Sequence, residues 1–198
     1  MDRIYDALKE EEDHETDNNY IAASDAGLKA WSYLKELMKL LDAKNFCDLE
    51  YQTMYDLLYW ASRLADNLHN ASLKDDSFFQ KKFFFCKEYV SMHEDFLDKD
   101  MRNLGNIRRA LAACYINTHD FETCDNLYEK WLQREPNWGW GWIGWSDHYW
   151  LFLGKNKPNL EKALRILERG LAIKGVDEKK YMTDRLKDLK AKILLPSC

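Results

Sequence analysis

The sequence IRRALAACYINTHDFETCDNLYEKWLQREP (residues 107–136) is followed by WGWIGWSDHYWLF (residues 140–152), and both stretches contain the same pattern. A step of 34 residues carries large, small and aromatic positions of the first stretch onto the second. The paired positions are Leu111 and Trp145, Ala112 and Ser146, and Tyr115 and Tyr149. The first copy continues through Cys124, Tyr128 and Trp131 to Pro136. Residues 102–175 are therefore predicted to be two copies of one helical hairpin.

This arrangement of positions is typical of the tetratricopeptide repeat (TPR), in which two short helices are followed by a proline. The first copy departs once, because Arg108 stands in the leading large position that Trp142 fills in the second copy. Repeats of this kind stack and build extended binding surfaces. The sequence predicts an all-α fold of about eight or nine helices, in antiparallel hairpins stacked as a TPR-like α-solenoid.

The composition suits helices with short connections, since the 198 residues include only 8 glycines and 3 prolines and β-turns need both. Three segments are expected: an acidic N-terminal arm or short helix at 1–17, N-terminal helical hairpins at 18–97, and two TPR-like units with a capping helix at 98–198. Together they are expected to form one continuous domain.

Several helix boundaries can be predicted from polar side chains that accept hydrogen bonds from first-turn amides. The candidate caps are Asn18 or Asn19, Asp75 or Asp76, Asp120 and Asn159. Helices are also expected at 48–70, 138–153 and 177–194, the last with apolar residues on one side and charges on the other. A stack of hairpins needs such a terminal helix to cover its exposed end.

The net charge of −5 is unevenly distributed. Residues 1–20 carry eight carboxylates against two cations, whereas residues 155–192 carry twelve cations against six carboxylates. Such patches can steer a partner or can be solvated helix faces. Nucleic acid is not an expected partner, because there is neither a strongly basic domain nor a recognisable reading element. No membrane partner is expected either, because no stretch approaches the roughly 18 apolar residues of a membrane span.

The cysteines and histidines do not form a recognisable site. The five cysteines are scattered without paired spacing, which favours reduced thiols and a cytoplasmic location. Cys114, His119 and Cys124 come nearest to a metal-ligand set, but their spacing is loose and both cysteines occupy core positions of the hairpin. No nucleophile elbow or glycine-rich phosphate loop occurs. We therefore predict no metal, no cofactor and no catalytic residues, and a protein that is not an enzyme.

The tryptophan-rich segment at 138–150 contains the candidate binding surface. On a helix, Trp142, Trp145, Ser146 and Tyr149 share the face that packs inside the hairpin. The predicted partner groove is formed by Trp140, Ile143, Asp147 and Trp150, with Arg109 on an earlier helix. Aromatic anchors beside a charge are typical of peptide-binding hot spots. In the alternative interpretation, the final helix or the N-terminal helices cover this face, because large apolar residues are more often buried.

Chaperone-binding TPR domains hold a C-terminal carboxylate with basic and asparagine side chains on successive first helices. Arg109 occupies one such position, but Ala113 stands where the asparagine is needed. The next first helix would present Trp140, Ile143 and Asp147. A carboxylate clamp is therefore not expected.

Three stretches resemble the helical part of bacterial proteins known as SEC-C motif or TPR-like proteins. They are ASRLADNLHNASLKDDSFFQKKFFFCKEYV (61–90), LYEKWLQREPNWGWGWIGWSDHYWLF (127–152) and NLEKALRILERGLAIKGVDEK (159–179). The resemblance implies an all-α TPR-like fold and no particular activity. Members named for the SEC-C motif end in a cysteine-rich zinc-binding tail, whereas this sequence ends in LLPSC, where Cys198 alone cannot hold zinc.

The leading functional hypothesis is a non-enzymatic, cytoplasmic protein-interaction module that binds a helix or peptide of an unidentified protein in a groove of first-helix faces. One alternative is a self-associating structural protein, a homodimer in which the helices at 18–42 and 48–70 pair across a two-fold axis. The other, by family analogy, is a metal- or nucleic-acid-linked factor in translation or secretion.

Overall fold

The computed structural model describes residues 1–44, 46, 48–49, 53, 55–93, 101–151 and 157–194. Nine helices are defined in these ranges, and no β-strand occurs in them, which confirms the predicted all-α class. In chain order the helices are α1 (Asp2–Thr16), α2 (Tyr20–Leu41), α3 (Leu57–Ser72), α4 (Ser77–Met92), α5 (Met101–Asn117), α6 (Phe121–Arg134), α7 (Gly139–Asp147), α8 (Leu160–Leu171) and α9 (Lys179–Leu194). Within the described ranges, none of these helices has the length and apolar character needed to cross a membrane.

Polar side chains set the beginnings of four helices, largely as predicted. The side chains of Asn19, Asp120 and Asn159 accept hydrogen bonds from backbone amides of α2, α6 and α8, at 3.4, 3.0 and 3.1 Å. These three predicted caps are confirmed. At α4, Asp75 accepts from the Ser77 amide at 2.9 Å, whereas Asp76 makes no capping bond.

Two helices differ from their predicted extents. In the segment predicted as one helix at 48–70, Asp48, Leu49 and Thr53 are helical, residues 50–52 and 54 lie outside the described residues, and the helix α3 begins after Asp56. Asp56 has non-helical backbone angles, and its side chain accepts from the Tyr59 amide at 2.8 Å. The helix predicted at 138–153 ends at Asp147. The chain then turns, and the carbonyl of Tyr149 accepts from the Asn159 amide at 2.8 Å. Residues 152–153 of this predicted helix lie outside the described residues.

Internal packing divides the chain into two compact units, Met1–Ala110 and Leu111–Cys198. The division falls inside α5, whereas the sequence pattern placed a boundary at 97/98. The predicted N-terminal segment at 1–17 is the helix α1 and belongs to the first unit.

In the first unit, α1 packs against α2, α2 against α3, and α3 against α4. Helix α1 buries Ile4, Ala7 and Leu8 and turns most of its carboxylates outward. The guanidinium of Arg63 on α3 lies 3.6 Å from a carboxylate oxygen of Glu12 and 3.3 Å from one of Glu15. The acidic segment is thus an ordered helix held by apolar burial and by a cation of a neighbouring helix.

The second unit is built on α7, which packs against both α6 and α8. All four residues predicted for its inner face are buried: Trp142, Trp145, Ser146 and Tyr149. The final helix α9 packs against α8 and α7 and buries Met182 and Leu189, so a helix is present where the sequence predicted one at 177–194. The backbone of α8 comes so close to α7 that a Cβ at Gly170 would lie 2.6 Å from the Trp142 ring.

Candidate functional site

The predicted partner groove is mostly covered in the structure. Ile143, Asp147 and Trp150 are 1%, 2% and 5% exposed, respectively. Trp140 is half-buried, and its ring stacks on Tyr181 of α9 with the ring centroids 5.4 Å apart. The face of α7 that the sequence suggested as a groove floor is therefore the packing surface for the final helix.

Charges as well as apolar contacts hold α9 on this face. The Nε of Arg185 on α9 lies 3.3 Å from Oδ2 of Asp147. The other oxygen of Asp147 accepts from the indole N–H of Trp150 at 3.1 Å. The ammonium of Lys192 lies 5.9 Å from the centre of the Trp150 ring. A carboxylate this deeply buried needs such partners, so Asp147 serves to dock α9 and presents little surface to a ligand.

Arg109, the fifth predicted groove residue, lies in the first unit and is half-buried. The four predicted tryptophan-face residues lie in the second unit. Arg109 and the other four predicted groove residues therefore do not belong to the same compact unit.

An open groove lies elsewhere in the second unit, between α6 and α8, and a carboxylate organises one end of it. Oδ1 of Asp125 on α6 accepts from the indole N–H of Trp145 at 2.7 Å and from the hydroxyl of Tyr149 at 2.6 Å. Oδ2 of Asp125 accepts from the ammonium of Lys162 on α8. That ammonium also lies 4.3 Å from the centre of the Tyr149 ring. One side chain thus joins three helices, each through a charged or strongly directional bond.

One turn further along, a second ion pair joins the same two helices. The guanidinium of Arg169 donates to both carboxylate oxygens of Glu129, at 2.8 and 2.9 Å. The same guanidinium lies 5.4 and 5.3 Å from the ring centres of Trp142 and Trp145. This bidentate, ring-stacked geometry fixes the orientation of the arginine although its side chain is about half exposed.

Between the two ion pairs the helices leave a surface groove of about 520 Å³. Its lining consists of Asp125, Asn126, Glu129, Trp145, Lys162, Arg165, Ile166 and Arg169, which we call the α6/α8 groove. Trp145 and Ile166 are 2% exposed each and close its floor. Arg165 and Asn126 are exposed, and Arg165 forms no ion pair with the part of the chain that the structure describes. Three cations face two carboxylates in this lining, so the groove carries one excess positive charge.

The sequence contained a signal for this groove that the pattern analysis missed. Lys162, Arg165 and Arg169 are spaced by three and four residues, which places them on one face of α8. Asp125 and Glu129 are four residues apart and share a face of α6 in the same way. Sequence periodicity gives the face of each helix without showing that the two faces oppose each other.

Two potential nucleophiles near the α6/α8 groove, Tyr149 and Cys124, favour their protonated forms. Burial, reinforced by the hydrogen bond to Asp125, raises the pKa of the Tyr149 phenol. Burial raises the pKa of the Cys124 thiol, with a smaller contribution from the charge of Asp125. The hydrogen bond from Arg169 lowers the pKa of Glu129, which favours its charged form. The arrangement therefore offers fixed charges and hydrogen-bonding groups to a ligand.

The residues considered for metal binding are dispersed. Cys114 and Cys124 are buried in the second unit, whereas His119 is exposed in the turn between α5 and α6 with a φ of 63°. No group of three or more His, Cys, Asp or Glu side chains placed to hold a metal ion occurs within the described ranges. The hydroxyl of Tyr128 lies 3.3 Å from Nε2 of His148, and both side chains are buried in the core of the unit.

None of the protein families, curated proteins or solved structures compared with this chain gives a significant match. The resemblance to SEC-C and TPR-like proteins therefore stays a prediction from the sequence.

Proposed function

We propose that the chain is a non-enzymatic, TPR-like protein-interaction module that binds a segment of another protein in the α6/α8 groove. The observation that supports it is an open groove whose charged walls are held in place by the chain's own bonds. The first-helix face originally expected to bind is covered by α9. The proposal therefore keeps the function predicted from the sequence and moves its site to the other side of α7.

Preorganised walls support binding because side chains already fixed lose little conformational entropy when a partner docks. Lys162 is tied to Asp125, and Arg169 is tied to Glu129 and lies over two indole rings. A partner finds these groups in place and has to order only Arg165 and Asn126. The small, polar and partly solvated surface suits a reversible interaction.

A buried, free thiol supports the cytoplasmic location as part of the same proposal. Cys124 is free and buried. Reduced cysteines are usual in the cytoplasm and uncommon in secreted proteins.

The proposal can be tested by affinity capture with the full chain from a lysate of the source organism. Wild type, Arg165→Glu and Lys174→Glu should be compared by quantitative mass spectrometry. Lys174 is exposed in the turn after α8 and does not line the groove, so it controls for the charge reversal. We expect a protein that is retained by wild type and Lys174→Glu and lost from Arg165→Glu. Recovery of the same proteins by all three forms would contradict the proposal.

Self-association is a second candidate, and exposed apolar residues on the first unit favour it. Leu40 near the end of α2 is 80% exposed and Met1 is 49% exposed. They flank a groove of about 370 Å³ that Tyr33 and Leu37 also line. Light scattering should then show a dimer in wild type and a monomer in Leu40→Glu. A monomer at all wild-type concentrations would remove this candidate.

A further inference from the structure

We infer that the α6/α8 groove selects an acidic, extended segment with carboxylates on alternate residues; this inference rests on the proposed function. Charge gives the first reason. The lining carries one excess positive charge, and Arg165, an exposed cation of the lining, has no ion-pair partner among the described residues. The two wall carboxylates are each already bonded to a cation of α8, which reduces their repulsion toward an incoming acid.

Spacing along α8 gives the second reason. Arg165 and Arg169 are four residues apart on one helix, which corresponds to about 6 Å along its axis. Alternate residues of an extended chain point the same way and lie about 6.7 Å apart. Two carboxylates separated by one residue can therefore reach both guanidinium groups at once. Arg169 keeps this capacity because a guanidinium has five N–H donors and Glu129 takes two of them.

The opposite wall gives the third reason, because it suits an extended backbone. Asn126 of α6 is exposed in the lining, and its carboxamide can donate to and accept from one peptide unit. The side chains of an extended segment that do not face α8 would point toward solvent, since the floor at Trp145 and Ile166 is closed. The groove therefore recognises the charges and the backbone of the bound segment, and it has no deep pocket for an apolar side chain.

The test is fluorescence anisotropy with a fluorescein-labelled nine-residue peptide of alternating serine and glutamate, titrated with the full chain. Matched probes carry glutamine in place of glutamate, or the same four glutamates in one contiguous block. We expect the alternating peptide to bind more tightly than the contiguous one, and this binding should weaken as the salt concentration rises. The glutamine peptide should not bind. Arg165→Glu should weaken binding by about tenfold or more, the effect expected for one charge-assisted contact. Lys174→Glu should weaken it much less, and circular dichroism should show both variants folded.

Other outcomes separate the inference from the proposed function. Equal binding of the alternating and glutamine peptides would overturn the inference. Absence of peptide binding, alongside an Arg165-dependent partner in the capture experiment, would overturn the acidic specificity and leave the interaction module standing. Tighter, Arg165-dependent binding of a nine-nucleotide single-stranded RNA would replace the acidic peptide with nucleic acid as the groove's occupant.

Discussion

The two units each tie their helices together by an indole N–H that donates to a carboxylate, but the carboxylates have different surroundings. In the first unit, Glu11 of α1 is fully buried and accepts from the indole of Trp60 and, at 3.2 Å, from the Asn67 amide. In the second unit, Asp125 accepts from the indole of Trp145 and is also paired with Lys162. Within the described residues, Glu11 has no cation within ion-pair distance.

This difference makes the carboxylate–indole contact of the first unit sensitive to pH. Burial raises the pKa of Glu11 from its ordinary value of 4.5 to about 7, and its hydrogen bonds and the charge of Arg63 only partly oppose that rise. Arg63 is paired with Glu12 and Glu15 instead. A buried carboxylate without its own cation is costly to ionise.

The largest loss of stability is expected from Asp125→Ala, which removes the carboxylate that joins the helices of the second unit. The indole of Trp145, the hydroxyl of Tyr149 and the ammonium of Lys162 would all lose their acceptor. Because partly buried donors left unsatisfied cost about 1–3 kcal/mol each and do not add fully, the free energy of unfolding should fall by about 3 kcal/mol. Urea denaturation followed by circular dichroism measures this. Asp188→Ala, an exposed substitution on α9, should change stability by less than about 0.5 kcal/mol. A loss for Asp125→Ala as small as that of the control would contradict the account.

In the first unit, Glu11→Gln replaces the buried carboxylate by a neutral amide. It should change the free energy of unfolding by a similar amount, and the change should depend on pH. The folded-state pKa of Glu11 lies above the unfolded value, so the folded protein binds this proton more tightly. The stability from this group is complete below pH 4.5, falls as the pH rises to about 7, and is lost above it. The lost stability is about 3 kcal/mol. Glu11→Gln should lack this decline, so its free energy of unfolding relative to that of wild type should rise between pH 5 and pH 8.

Urea unfolding of both proteins at several pH values tests this prediction. Other buried groups, such as His93, whose pKa burial lowers, titrate in both proteins and cancel in the difference. Glu10→Gln is the matched control, because Glu10 is about half exposed and its nearest cation, Lys29, lies 3.6 Å away at the surface. Parallel pH profiles for wild type and Glu11→Gln would show that Glu11 is not the sensitive group.

The smallest loss of stability is expected from Lys162→Met, which removes the cation that is bonded to Asp125. Lys162→Met keeps an apolar stem against the Tyr149 ring but leaves Asp125 with neutral donors only. Because Asp125 keeps some solvent contact, the free energy of unfolding should fall by only about 1 kcal/mol at pH 7. Thermal denaturation measures this deficit. A Lys162→Met variant as stable as wild type would show that the ion pair does not contribute to the joining of the helices.

Much of the fold could be predicted because it depends on local signals. The spacing of Trp142, Trp145 and Tyr149 gave the inner face of α7, and Asp120 and Asn159 gave helix beginnings. The start of α3 was not predicted because the apolar pattern continues through Asp56, whose side chain accepts from the Tyr59 amide. The end of α7 was not predicted because the turn at residues 148–151 contains no glycine or proline that would signal it.

The candidate site was harder to predict because it depends on pairs of residues far apart in sequence. Asp125 and Lys162 belong to different helices, and their pairing follows only once α7 has set the two helices facing each other. The tryptophan face predicted as the site is covered for a reason that local signals do not show. The periodicity correctly put Ile143 and Asp147 on the outer face of α7, but nothing local showed that Arg185 of α9 would dock there.

The most direct test of the central claim, that partners bind between α6 and α8 and not on the face covered by α9, is site-specific photocrosslinking. A benzophenone amino acid should replace Asn126 in the α6/α8 groove or Tyr181 beside Trp140, both exposed positions. With the captured partner or the alternating peptide, irradiation should give a crosslinked product at position 126 and little at position 181. Crosslinking at position 181 without any at position 126 would contradict the account and return the binding site to the tryptophan face.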